Sequence, residues 1–167
     1  MSKKALVTGS FDPPTKGHLA LIREAASVFD EVVVCVFRNC EKHYMFSEAE
    51  RAEMLRVMIA ESKLLGVSVD VSDGYVADYA CEKGIGYIFR GVRDEKDMAY
   101  EMEMARYNRN RTPGLETILW VAPDEKKGIS STEVRSLLHN GVLPEVYLPK
   151  SVLNWIVDHT IVGNFST

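Results

Sequence analysis

TGSFDPPTKGH, residues 8–18, joins the first apolar run of the chain to its first amphipathic segment. The stretch reads as a strand-to-helix turn. Gly9 ends the strand where a ligand must come close, Asp12 and Pro13 shape the turn, and Thr15 caps a helix whose first turn holds Gly17 and His18. A strand that passes through a polar turn straight into a helix is the opening of a β-α-β unit.

Working outward, KALVTG at 4–9 is followed by four similar runs: EVVVCVF at 31–37, VSVDV at 67–71, GYIFRG at 86–91 and ETILWVA at 116–122. These are continuous rather than alternating, as expected of buried strands in a parallel sheet covered on both faces. Between them lie helical patterns. Leu19, Ile22, Ala26 and Phe29 recur at helical spacing, and Ser47 with Glu50 forms a capping box for a helix through Met54, Val57 and Met58. Asp73 or Gly74 is expected to open a helix that ends before Gly84, and Asp94 to cap a long one through Met98, Met102, Ala105 and Tyr107. In SSTEVRSLLHNG, Ser130 and Glu133 have capping-box spacing and Gly141 is the stop; a last helix is expected from about residue 149, near Lys150 to His159, with the chain end packed on the sheet or a neighbour. The alternation predicts one α/β domain over residues 1–167, a Rossmann-like, doubly wound five-stranded parallel sheet with helices on both faces.

Composition narrows the function. Of 167 residues, 46% are hydrophobic and 26% charged, and the formal net charge of −4 argues against a general nucleic-acid or anionic-membrane binder. No run approaches transmembrane length, and MSKKALVTG lacks the apolar stretch of a signal peptide, so a cytoplasmic protein is expected. Cys35, Cys40 and Cys81 are odd in number and have no CxxC spacing; buried free thiols are expected. Together with His43, His139 and His159 they match no metal-ligand pattern, which gives a redox or metal protein little support.

Ligands of open α/β sheets bind outside the carboxyl ends of the strands. Strand one ends at Gly9 and Ser10, strand two runs into Arg38 and Lys42, and strand four ends at Arg90 and Arg93; strand five leads to Ser130, Ser131 and Thr132. Any one of these residues could be a solvated loop residue. Four cations and two capped helix N-termini on one edge of a net-acidic protein instead describe a site for a phosphate-bearing ligand.

The two motifs also carry a resemblance. TKGH at 15–18 resembles the T/H-x-G-H signature of the nucleotidyltransferase superfamily, which is related to class I aminoacyl-tRNA synthetases, and ISSTEVR at 129–135 resembles its second signature. GSFDPPTKGH, the Lys42 loop, RGVRD at 90–94 and YEMEMARYNR at 100–109 are similar to the bacterial phosphopantetheine adenylyltransferases across nearly the whole chain. The last two stretches separate that family from nicotinate or nicotinamide mononucleotide adenylyltransferases, which remain an alternative, as does a catalytically silent nucleotide-binding protein of the same fold.

The resemblance implies transfer of AMP from ATP to 4'-phosphopantetheine, giving 3'-dephospho-coenzyme A and pyrophosphate. It implies His18, Lys42 and Arg90 as catalytic residues, and an ATP site of Ser10, Phe11, Gly17, His18, Arg93, Glu101, Ser130, Ser131 and Thr132. The acceptor would meet Ser10, Lys42, Gly74, Tyr75, Arg90, Glu101 and Asn108; Glu101 and Asn108, seven apart, share one helix face. Gly74 and Tyr75 stand where the family has a larger apolar pair, and Lys126, Lys127 and Gly128 where it has an aromatic-containing loop. Mg²⁺ is expected, held by ATP phosphates and water, and no protein metal ligand is assigned. A homohexamer and feedback by coenzyme A are further expectations from the resemblance. The attacking phosphate monoester is mostly dianionic at neutral pH, so no general base is required and His18 is expected to donate a hydrogen bond rather than shuttle a proton.

Overall fold

The computed structural model describes residues 2–160 of the chain. In chain order its elements are β1 (Lys4–Gly9), α1 (Lys16–Val28), β2 (Glu31–Phe37), α2 (Glu48–Glu61), β3 (Val67–Ser72) and α3 (Val76–Glu82). They continue as β4 (Tyr87–Val92), α4 (Glu95–Arg111), β5 (Glu116–Val121), α5 (Asp124–Lys127), α6 (Ser131–His139) and α7 (Lys150–Thr160). The expectation for the chain end beyond residue 160 lies outside the described residues.

All four strand pairings are parallel, and the order is β3-β2-β1-β4-β5. The chain moves outward from β1 to β3, then returns to the other side of β1 at β4. The crevice at that reversal, between the carboxyl ends of β1 and β4, is where such sheets bind ligands. Successive side chains of each strand point to opposite faces, so the sheet builds two cores. Ala5, Val7, Val32, Val34 and Phe89 pack with residues of α1, α2 and α7 on one face. Leu6, Cys35 and Ile88 pack with Ala77, Tyr79 and Ala80 of α3 on the other.

The strands start and stop within one residue of their expected limits, but burial is uneven. β1, β2 and β4 are largely enclosed, whereas the edge strands β3 and β5 expose Val71 and Val121. An edge strand has one neighbour and partial cover, and apolar content alone does not report that. Thr15, Ser47, Asp94 and Ser130 cap their helices as expected. α3 differs: its N-cap is Tyr75, with no side-chain cap bond, because Ser72 rather than Asp73 organises the preceding turn by accepting from the Gly74 N–H. The thiols divide too, Cys35 being buried in β2 while Cys40, in a loop, and Cys81, on α3, are exposed.

α4 inverts the usual arrangement. Its buried residues are Glu101 and Asn108, while Met102 and Tyr107, read as part of its apolar pattern, are exposed together with Tyr100. Placing the polar residues inward puts a carboxylate and an amide beside the sheet rim.

The turn entering β3 depends on Gly66. It has φ +70, its carbonyl accepts from Val32 N–H at 2.8 Å, and an added Cβ would lie 2.6 Å from the Asp30 carbonyl oxygen. Gly66→Ala should therefore destabilise the protein by about 2 kcal/mol, a drop in Tm on the order of 5 °C. An unchanged melting curve would contradict the assignment.

Candidate active site

Two cavities meet at the crevice between β1 and β4. One, of about 390 Å³, is lined by the turn after β1, the end of β4 and the start of α6. The other, of about 260 Å³, is lined by Asn39, Lys42 and Tyr44 of the loop after β2 and by Met104 and Asn108 of α4. Thr8, Gly9, Ser10, Arg90, Tyr100 and Glu101 belong to both. A ligand group lying over Ser10 and Arg90 is therefore reachable from either side.

Every residue expected at the ATP site lines the first cavity: Ser10, Phe11, Gly17, His18, Arg93, Glu101 and the three residues Ser130, Ser131 and Thr132. Of the residues expected to meet the acceptor, Ser10, Lys42, Arg90, Glu101 and Asn108 line the second. Gly74 and Tyr75 line neither. Tyr75 is exposed with its ring 4.2 Å from the Arg111 guanidinium, which draws it towards the far end of α4; its neighbour Val76 lines the second cavity instead. Arg38 also departs from the expected cluster, since its Nε lies 3.4 Å from the Glu48 carboxylate.

His18 is fixed by the helix it opens. Thr15 Oγ1 accepts from the His18 N–H at 3.4 Å, and the Thr15 N–H donates to His18 Nδ1 at 3.0 Å, a capping box with histidine in the usual place of glutamate. An Nδ1 that accepts leaves the proton of the neutral ring on Nε2. Removal from water, reinforced by the cations Arg90 and Arg93, lowers the His18 pKa to about 4. At neutral pH the ring is an uncharged donor through Nε2.

Phe11 supports it from the side, with ring centroids 4.9 Å apart and edge-on. The Phe11 backbone has φ +51, a left-handed conformation unusual for a bulky residue. Its ring also accounts for Gly9, where an added Cβ would come within 3.1 Å of a ring carbon.

The cations are held by carboxylates of α4. Arg90 donates through Nε and Nη2 to the two oxygens of Glu101, at 3.0 and 2.6 Å, and through Nη1 to the Thr8 hydroxyl at 2.7 Å and to the Thr8 carbonyl. Arg93 Nε donates to Asp97 at 2.9 Å. Lys42 follows a turn in which Asn39 Oδ1 accepts from the Glu41 N–H at 2.9 Å. At α6, Ser130 Oγ accepts from the Glu133 N–H, while Ser131 Oγ and Arg135 Nη1 donate to the carbonyls of Pro13 and Asp12, each at 2.9 Å. The two sequence motifs are thereby joined directly.

Three further residues complete the frame: Asp12, read from the sequence only as a turn residue, Arg135, the last residue of the second motif, and Arg51, which the sequence reading did not single out. Asp12 and Arg51 are buried, at 1% and 0% exposure. Arg51 had a signal, since it precedes Met54 by three and Met58 by seven and so sits on the apolar face of α2. Asp97 and Trp120 also line the first cavity.

Two joined cavities with a histidine donor and fixed cations at the rim of a parallel sheet define a nucleotide-handling class of protein. The cytidylyltransferase-like family model matches residues 6–137. A phosphopantetheine adenylyltransferase of Natranaerobius thermophilus is 36% identical over 156 residues, covering 93% of this chain and 95% of that protein. One from Wolinella succinogenes is 39% identical over 150 residues, with 89% and 92% covered. Among solved structures, the nicotinic acid mononucleotide adenylyltransferase of Plasmodium falciparum superposes with a TM-score of 0.70 at 16% identity, covering 99% of this chain and 100% of that one. A lipopolysaccharide core biosynthesis protein of Thermoplasma volcanium gives 0.56 at 22%, covering 74% and 100%. These structural likenesses speak to the fold. By sequence, the chain belongs to the cytidylyltransferase-like family and, within it, to the phosphopantetheine adenylyltransferases.

The protonation state of His18 is directly measurable. Nitrogen-15 NMR should find the Nε2–H tautomer at pH 7 and a titration midpoint near pH 4. Because the folded value lies below the ordinary 6.5, this residue's contribution to stability is complete above that pH and declines as pH falls towards 4. A midpoint near 6.5 would contradict the site as described.

Proposed function

We propose that the protein transfers the adenylyl group of ATP to 4'-phosphopantetheine, releasing pyrophosphate and forming 3'-dephospho-coenzyme A. The observation that carries this reading is the pair of cavities meeting at Ser10 and Arg90, one bounded by His18 and the Ser130–Thr132 turn, the other by Lys42 and Asn108. ATP occupies the first and the acceptor the second, so the acceptor phosphate meets the α-phosphate at their junction.

An oxygen of the acceptor phosphate forms the new bond to the α-phosphorus as the bond to the bridging oxygen of pyrophosphate breaks. The nucleophile is already ionised above its second pKa of about 6, so proton abstraction is not needed. The barrier is the approach of two polyanions and the charge developing on the phosphates. Arg90 and Lys42 bring the acceptor phosphate in, Arg93 and the first turn of α6 hold the β- and γ-phosphates, and His18 Nε2–H donates to the reacting phosphate. Being neutral, His18 stabilises the transition state without adding a fixed charge that would tighten ground-state ATP equally.

Mg²⁺ would enter this scheme with ATP and would supply neutralisation of phosphate charge. Among the described residues no group of three or more His, Cys, Asp or Glu could hold a metal, and Mg²⁺ commonly keeps several waters rather than entering an all-protein cage. A homohexameric assembly, and feedback by coenzyme A, which contains the product's structure, are proposed with the family reading. A cytoplasmic setting is proposed with the function; among the described residues no helix is long and apolar enough to cross a membrane.

Pyrophosphate release tests the reading. ATP with 4'-phosphopantetheine should support turnover, and ATP with nicotinate mononucleotide or CTP with either acceptor should not; the reverse pattern would overturn it. Replacing His18 with Ala should lower kcat by a factor of about 10² to 10⁴ with a smaller effect on the KM for ATP, as for loss of an oxyanion-type donor. Equal losses in rate and affinity would assign His18 to ground-state binding.

A further inference from the structure

We propose that Arg51 is a positioning residue for this reaction, holding the Lys42 loop in register with the phosphate turn of β1. The proposal rests on the functional reading above. Arg51 is fully buried, yet its guanidinium donates to main-chain oxygens on two separate segments. Nη1 donates to the Ser10 carbonyl at 2.7 Å, and Nε to the carbonyls of Phe46 and Ser47 at 3.0 and 3.3 Å. Ser10 is common to both cavities; Phe46 and Ser47 lie four and five residues beyond Lys42.

Asp12 binds the same two segments from the other side. Its carboxylate accepts from the N–H groups of Met45 and Phe46, both at 2.9 Å, and lies 3.9 Å from Arg135 of the second motif. The main chain at Phe46 is thus held twice, through its amide by Asp12 and through its carbonyl by Arg51. A continuous set of contacts runs from α6 through Asp12 and residues 45–47 to Arg51 and back to Ser10. The pyrophosphate end of the site and the loop that brings Lys42 are parts of one frame.

Tyr44 extends the frame into the acceptor cavity. Its ring lies 4.0 Å from the Arg51 guanidinium carbon, and the same residue lines the second cavity beside Lys42. Arg51 therefore sets the wall of the acceptor side as well as Ser10. Lysine cannot replace it, because one ammonium at the end of a flexible stem lacks the planar fork needed to span separated carbonyls and lie on a ring. Since in-line attack is sensitive to displacements on the order of 1 Å, loosening this frame should slow turnover as well as weaken acceptor binding.

Steady-state pyrophosphate release, with active concentration normalised to the folded fraction, tests this on Arg51→Lys and Tyr44→Leu. Arg51→Lys should lower kcat about tenfold or more and raise the KM for 4'-phosphopantetheine at least about threefold, leaving the KM for ATP within about twofold. Tyr44→Leu changes a partly exposed loop residue, so folding is not at stake even if Arg51→Lys is unstable; it should raise the acceptor KM several-fold with ATP affinity unchanged. Unaltered constants in the folded fraction of Arg51→Lys, or an unaltered acceptor KM in Tyr44→Leu, would overturn the proposal while wild-type turnover keeps the functional reading intact. Wild-type protein that releases no pyrophosphate from this pair would overturn both.

Discussion

Arg90 is gripped from two directions at the point where the two cavities join. Glu101 of α4 accepts from one edge of its guanidinium, through Nε and Nη2, and Thr8 of the neighbouring strand accepts twice from Nη1. A free arginine at this rim would move through many rotamers and would have to be ordered each time a phosphate arrived. Held in advance, with Nε and both Nη1 hydrogens engaged, it presents a positive charge and the second Nη2 N–H in a fixed direction. Everything else in the site is arranged around that charge, and the sheet order supplies it, because β4 returns to the side of β1 opposite β2.

The same economy explains the inward polar face of α4. Glu101 and Asp97 each hold a cation, Asn108 lines the second cavity, and the apolar Met102 and Tyr107 are left outside. Carboxylates beside phosphate-binding cations weaken the positive field somewhat, but they determine where the cations lie. For a reaction between two mutually repelling anions, geometry contributes more than raw charge. His18 follows the same logic: burial and neighbouring cations keep the imidazole neutral, and the backbone of Thr15 fixes which nitrogen bears the proton.

Much of this is legible in the amino-acid sequence. Continuous apolar runs and the caps at Thr15, Ser47, Asp94 and Ser130 are local signals, and they give the alternation of strands with the longer helices and the parallel sheet, though not the short α5 over Asp124–Lys127. Residues at strand ends fall on one rim by topology, so the loops carrying His18, Lys42, Arg90 and Ser130–Thr132 could be assigned to one edge from sequence alone. What escaped was set by long-range contact. Tyr75 turns towards Arg111, thirty-six positions away, and Arg38 towards Glu48. Asp12 and Arg51 look like an ordinary turn residue and an ordinary helix cation until segments 10–12 and 44–47 are brought together. The burial of Glu101 instead of Met102 likewise depends on what α4 packs against rather than on its own periodicity.

On this reading the protein acts as an electrostatic cradle and forms no covalent bond to the adenylyl group. The stereochemical course at the α-phosphorus tests it most directly. With ATP made chiral at that centre by sulfur substitution, a single in-line displacement predicts inversion of configuration in the product. Net retention would mean two displacements through an adenylyl-enzyme, with His18 as nucleophile rather than donor, and would contradict the account.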